Sequence, residues 1–393
     1  MAESIVIVGA ARTPMGGFQG DFSGLSAHDL GGAAIKAAVE RAGIPSDAVG
    51  EVLFGNCLMA GQGQAPARQA AFKGGLPKSS GAVTLSKMCG SGMKAAMFAH
   101  DMLLAGTHEI MVAGGMESMT NAPYLMLKGR GGYRMGHDRI YDHMMLDGLE
   151  DAYQAGRSMG TFGEECAAKY KFTREAQDAF ATASVQRAKK ATESGAFATE
   201  ITPVTVKDRA GERLVSIDEG PGKVKLDKIP QLKPAFKKDG TITAASSSSI
   251  NDGAAALVMM TESTAKRLGV KPLARLVGHA THAQEPEWFT TAPVGATQKL
   301  LAKTGWKVAD VDLWEVNEAF AVVPMALMEE LKVAHDIVNV NGGACALGHP
   351  IGASGARIMV TLLHALKARG GKRGIATLCI GGGEGTSVAL ELI

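Results

Sequence analysis

The sequence predicts an α/β fold, built on a mainly parallel sheet and assembled twice from one repeated unit. Three observations predict it. Short β-branched runs alternate with stretches of helical periodicity near both ends of the chain. Glycines sit where those runs stop. The order of elements found before residue 117 returns after residue 272.

Residues 5–8, Ile-Val-Ile-Val, form a buried strand, and Gly9 to Pro14 reads as the loop after it. Residues 30–42 carry helical periodicity and stop at Gly43. Residues 49–54 are the next strand and 82–85 a short apolar one. Residues 93–105 are a helix closing at Gly106, and 109–113 a strand running into Gly114-Gly115. Strands alternating with helices favour parallel pairing, because each crossover needs a helix.

The second copy reads strand 273–277, helix 297–303 ending at Gly305, strand 311–316, helix 355–368 ending at Gly370, and strand 375–380 entering Gly381-Gly382-Gly383. Three local pairs link the copies in the same order. The run from Ala42-Gly43 to Gly55-Asn56 parallels that from Thr304-Gly305 to Val316-Asn317. Cys89-Gly90-Ser91-Gly92 parallels Gly352-Ala353-Ser354-Gly355, each opening a helix. Val112-Ala113-Gly114-Gly115 parallels Cys379-Ile380-Gly381-Gly382. Between the copies lies a dissimilar region with a charged helix near 173–194 and a Lys-rich stretch over 207–238. It reads as an insertion covering a site. The resulting division is a first half over 1–117, an insertion over 118–249, a return to the first half over 250–271, and a second half over 272–393.

With 393 residues, 46% apolar and 20% charged, the chain is long enough for two or three cores. A net charge of +2 gives no nucleic-acid footprint. No secretory signal and no apolar run of membrane-spanning length is read, so a cytoplasmic location without membrane contact is expected. The five cysteines (Cys57, Cys89, Cys166, Cys345 and Cys379) include no CxxC pair. That argues against a disulfide framework or structural zinc. The histidines lack HxxxH and HExxH spacing, so no metal is expected.

Four positions could carry chemistry. Cys89 lies between a strand and a helix start, where unpaired N–H groups and the helix dipole stabilise a thiolate; the plain alternative is a packed structural cysteine. His349 is framed by Pro350 and by five glycines between 342 and 355, a rigid setting suited to a general base. Cys379 ends a strand at Gly381-Gly382-Gly383-Glu384-Gly385, either an oxyanion hole or only a closing turn. Asn317 stands at a strand end, either holding a water or carbonyl, or capping the next helix.

With these residues in view, the chain resembles the thiolases over essentially its whole length, specifically the biosynthetic type. The resemblance rests on Met88-Cys89-Gly90-Ser91-Gly92 with Gly114-Gly115-Met116-Glu117-Ser118-Met119, on residues 339–355, on 379–385, and on Asn317-Glu318-Ala319-Phe320. It implies a five-layered αβαβα sandwich of two similar halves with an inserted loop domain. It implies acyl transfer between coenzyme A thioesters through an acyl-Cys89 intermediate, reversibly joining two acetyl-CoA into acetoacetyl-CoA and free CoA. His349 would activate the thiol and bind the thioester oxygen, with a water on Asn317 in the same hole. Cys379 would be the acid/base on the second substrate, and the Cys89 and Gly381 N–H groups would form the other hole. Ser248 falls where the family's loop domain meets pantetheine, and Ser158, Met159, Lys223, Phe236, Ala244, Phe289 and Phe320 are the other expected substrate or CoA contacts. No cofactor is implied beyond the CoA thioesters, and the loop 129–138 resembles the one that builds homotetramers.

The sequence departs from the pattern at Ser158 (often His), Phe289 (often Met), Glu384 (usually neutral) and the serine run 246–249. These leave a degradative 3-ketoacyl-CoA thiolase of longer chain length as the nearest alternative. A non-catalytic carrier and a ketoacyl synthase are the more distant ones.

Overall fold

The computed structural model describes residues 3–208 and 211–393. Its long strands are β1 (Ile5–Arg12), β2 (Glu51–Gly55), β3 (Gly81–Leu85), β4 (Ile110–Ser118), β5 (Asn251–Thr261), β6 (Ala274–Ala283), β7 (Leu313–Val316), β8 (Arg373–Ile380) and β9 (Glu384–Leu392). The main helices are α1 (Ala27–Ala42), α2 (Pro66–Lys73), α3 (Ser91–Leu104), α4 (Met159–Tyr170), α5 (Arg174–Glu193), α6 (Ala292–Thr304), α7 (Val322–Leu331) and α8 (Ile351–Arg369).

The strand order is β7-β8-β9-β6-β1-β5-β4-β2-β3. Outward from the β1–β6 seam, the first half reads β1-β5-β4-β2-β3 and the second β6-β9-β8-β7. A lone parallel bridge from Trp314 to Val338 stands where the fifth strand of the second half would be. The predicted duplication is thus present in the hydrogen-bonding order. The seam is short, pairing Val6 with Arg275 and Ile7 with Ala274.

The sheet is not mainly parallel, however. Parallel pairing holds only for β2–β3, β2–β4 and β7–β8. The pairs β1–β5, β5–β4, β1–β6, β6–β9 and β8–β9 are antiparallel. The sequence reading missed β5 and β9, which set this pattern. A tight glycine turn joins β8 to β9, and so short a link allows only antiparallel pairing. The expected loop after residue 8 is also corrected, since β1 runs on to Arg12.

Side chains on β1 alternate between two cores. Ile5 and Ile7 face one, with Met93 and Met97 of α3 and Ile358 and Leu362 of α8. Val6 and Val8 face another, with Leu30 and Ile35 of α1. On the second half, Ala376 and Leu378 join the α3/α8 core, while Ile375 and Cys379 face Leu300 of α6 and Val323 of α7. The sequence of layers is helix, sheet, the α3/α8 pair, sheet, helix.

Glycines set how closely the middle helices cross. A Cβ on Gly355 of α8 would lie 2.4 Å from the Met93 nitrogen of α3, and one on Gly92 of α3 2.8 Å from the Ala356 nitrogen of α8. Only hydrogen fits there, so the starts of α3 and α8 meet backbone to backbone. That contact brings the Cys89 and His349 loops to one place.

Candidate active site

Cys89 stands one residue before Gly90, the cap of α3. Met88 before it has φ +45°, an uncommon value for a residue with a side chain. Ser91 holds that turn: its Oγ accepts from the Lys87 N–H at 2.8 Å and donates to the Met88 carbonyl at 2.6 Å. The backbone N–H groups of Gly381 and of Cys89 itself act on Sγ to favour the thiolate. These donors do not outweigh burial. The thiol is pushed up to about 11, chiefly by desolvation, with the Glu117 carboxylate adding to it. The expectation that the helix start alone yields a thiolate is therefore corrected: Cys89 is a thiol at neutral pH and needs a base.

His349 offers a free ring nitrogen at the same junction. Its Nδ1 lies 2.5 Å from Ser354 Oγ, which donates its proton to the Pro350 carbonyl at 2.9 Å. Ser354 can then only accept from the ring, which places the imidazole proton on Nδ1 and a lone pair on Nε2. Burial, with the Arg357 cation, pushes the imidazole down to about 3, so the ring is neutral. Nε2 is buried without a hydrogen-bond partner among the described residues. The His349 N–H donates to the Ser249 carbonyl at 3.2 Å and lies 3.3 Å from Asn251 Oδ1. Gly348, at φ +95°, leaves room for that Asn251 side chain.

Asn317 follows β7, and its N–H donates to the Thr377 carbonyl at 3.0 Å, two residues before Cys379. Both ends of its side-chain amide are buried and unpartnered among the described residues. Such atoms are rare in folded proteins unless a site uses them. The capping alternative falls, because α7 opens later, with Ala321 as its cap. Cys379 is fully buried, and burial pushes its thiol well up, with the nearby Cys89 sulfur adding to the shift. All five cysteines are free.

The expected substrate contacts divide into two groups. Phe289 and Phe320 are buried in one apolar cluster with Cys379, and Met159 and Phe236 pack against it. Phe236 meets Phe320 edge-on at 5.8 Å, and Phe162 meets Phe289 at 6.1 Å. Lys223 and Ala244 instead line a cleft of about 630 Å³ with Lys225, Lys228, Leu232 and Ser249. Ser248 lies at the Phe320 segment, its N–H and Oγ 2.9 and 3.1 Å from the Ala319 carbonyl. Ser158 caps α4 without a side-chain cap bond.

Sequence reasoning missed the supports. Glu117 is buried, with burial pushing its carboxyl up to about 7. It accepts from Asn56 Nδ2 at 2.6 Å and from the N–H groups of Cys57, Leu58 and Gly352. Glu318 binds Ser184, Asn339 and the Cys345 N–H. An acid inside an otherwise apolar, Gly-rich motif was the available signal for both. Histidine spacing also missed one grouping: His100 and His279 each lie within 3.0 Å of Asp101, so the three satisfy one another.

Comparison with known proteins shows the family. The family descriptions "Thiolase, N-terminal domain" and "Thiolase, C-terminal domain" match residues 5–263 and 270–392. The chain is 49% identical over 389 residues to an acetyl-CoA acetyltransferase of Chromobacterium violaceum, covering 98% of this chain and 99% of that one. It is 49% identical over 392 residues to acetyl-CoA acetyltransferase 2 of Arabidopsis thaliana, covering 99% and 97%. Among solved structures, the Bacillus anthracis acetyl-CoA acetyltransferase superposes with a TM-score of 0.97 at 40% identity, covering 100% and 99%. The Acat5 thiolase of Ascaris suum, solved with coenzyme A, gives 0.94 at 41%, covering 99% and 100%. Fold and relatives together define an acyl-transferring enzyme. The chain belongs to the thiolase family.

Proposed function

We propose that this enzyme is an acetyl-CoA C-acetyltransferase, condensing two acetyl-CoA into acetoacetyl-CoA and CoA and running the reverse thiolysis. The observation that carries the reading is the neutral His349 with a free, buried Nε2, set in a fold that brings the Cys89 and Cys379 thiols together. In the first half-reaction the Cys89 proton passes to His349 Nε2 and the sulfur attacks the acetyl carbonyl. CoA leaves as a thiol with the Cys379 proton. The Cys379 thiolate then takes the α-proton of a second acetyl-CoA, and the enolate carbon attacks the acetyl group on Cys89. The Cys89 sulfur departs and recovers its proton from His349. The Gly381 and Cys89 N–H groups stabilise one oxyanion; His349 and a water on Asn317 stabilise the other.

The Lys-lined cleft suits the phosphates of CoA, and the insertion over 118–249 supplies most of its wall. The packed phenylalanines around Cys379 favour a short acyl group. We therefore expect acetoacetyl-CoA to be cleaved faster than six- or eight-carbon 3-ketoacyl-CoA, and acetyl-CoA to label Cys89. Preference for the longer substrates would establish the degradative alternative instead.

A homotetramer is part of this proposal, supported by the insertion's exposed apolar side chains Tyr124, Met126, Leu127, Met135 and Ile140 in and beside the 129–138 loop. Light scattering should give a four-chain mass, falling to two chains when this loop is removed. A single-chain mass for the intact protein would count against that assembly. No helix among the described residues is long and apolar enough to cross a membrane. A cytoplasmic location is proposed with the rest.

A further inference from the structure

The geometry points to a cross-brace between the two reactive loops: the Lys87–Glu384 ion pair is a positioning device that holds the Cys89 sulfur in register with the Gly381 N–H. Lys87 lies two residues before Cys89, and Glu384 opens β9 just after the Gly381–Gly383 turn. Lys87 Nζ and Glu384 Oε2 are 2.5 Å apart, with side chains 19% and 32% exposed. The pair therefore joins the first half of the fold to the second at the rim of the site.

Three observations make the brace consequential. The Gly381 N–H favours the thiolate of Cys89, so one element of the site spans the two halves. The turns touch where Gly90 has no side chain: a Cβ there would lie 2.4 Å from Ile380 Cδ1. Behind them, the halves meet along the short β1–β6 seam, at the α3/α8 crossing and where α8 lies on β4 and β5. The groups that shift the Cys89 thiol are burial, the two N–H donors and Glu117, and neither Lys87 nor Glu384 is among them. The pair is locally neutral and acts by position. Lys94 is a further cation that feels both Lys87 and Glu384. Glu384→Gln is therefore the cleaner substitution, since loss of Lys87 leaves Glu384 free to turn to Lys94.

This inference rests on Cys89 being the acetylated nucleophile. The test measures steady-state thiolysis and the rate of Cys89 acetylation in full-length Glu384→Gln, Lys87→Met and Lys87→Arg. In the first two we expect kcat and the acetylation rate to fall by about tenfold, as a small misalignment would cause. KM for the acyl-CoA should stay within about twofold, and Lys87→Arg should recover most of the rate. Melting temperatures should remain close to wild type. Wild-type kcat in Glu384→Gln and Lys87→Met overturns the brace, and so does a loss confined to KM. No rescue by Lys87→Arg also overturns it. If the wild-type protein itself takes no acetyl group on Cys89, the functional reading fails. If it does and the variants match it, the brace alone fails.

Discussion

Cys89→Ala should lose turnover by at least about a thousandfold in both directions while folding normally. No other described group replaces what the sulfur does. An acyl group on sulfur stays an active donor to a carbon nucleophile, and the acyl-enzyme divides one hard step into two. His349→Ala should lose nearly as much, because the Cys89 thiol, raised to about 11, is almost wholly protonated near neutrality. The double variant should then be little worse than either single one, since the pair works as a unit. The pH dependence carries the same sign. A raised thiol pKa lowers the thiolate fraction, so alkylation of Cys89 in the free enzyme should speed up with pH through 7 to 9 without levelling off. Thiolysis assays, intact mass after acetyl-CoA treatment and iodoacetamide rates check the set. A Cys89→Ala enzyme keeping a few per cent of turnover would sink the mechanism.

Cys89, His349, Asn317 and Cys379 could be singled out in the sequence because each sits at a punctuated boundary. A strand stops and glycines follow around Cys89 and Cys379, a strand stops at Asn317, and glycines with Pro350 frame His349. The duplication was legible for the same reason. Strand direction was not, because β5 and β9 alternate between two buried faces and carry no sign of orientation in their residues. The protonation states were hidden too. Helix-start reasoning favoured a thiolate, whereas burial of the whole junction decides for the thiol, and burial is a property of the packed layers. Ser354 escaped because its role, fixing the proton on His349 Nδ1, appears only when α8 starts at Ile351 and turns that hydroxyl back onto the ring. The Lys87–Glu384 pair joins residues nearly three hundred positions apart, so no local pattern announces it.

Arg12→Met should be the most damaging change away from the chemistry, costing about 3–5 kcal/mol of stability. Arg12 ends β1 and is fully buried. Its guanidinium pairs with Glu200 and, through two nitrogens, with Asp218 at 2.6 and 2.8 Å. Phe197 lies 4.8 Å from it, and Thr361 of α8 donates to the same Glu200 carboxylate at 3.1 Å. One side chain thus ties the insertion to the first sheet and to the helix that follows His349. Methionine fills much of the volume but leaves two buried carboxylates without a cation. The penalty comes from those stranded charges more than from a lost attraction. Its pH dependence has a definite sign. Burial already raises the Glu200 carboxyl, and Arg12 is the first group opposing that rise. Without Arg12 the folded-state pKa climbs further above the unfolded value, so folding binds protons and stability falls as pH rises. The gap between wild type and Arg12→Met should therefore widen from pH 5 to pH 8 in urea unfolding. A gap independent of pH would mean that lost packing, not stranded charge, is what the variant suffers. A double change that also removes both acids, Glu200→Gln with Asp218→Asn, should recover part of the loss, because amides can be buried far more cheaply than unpaired carboxylates.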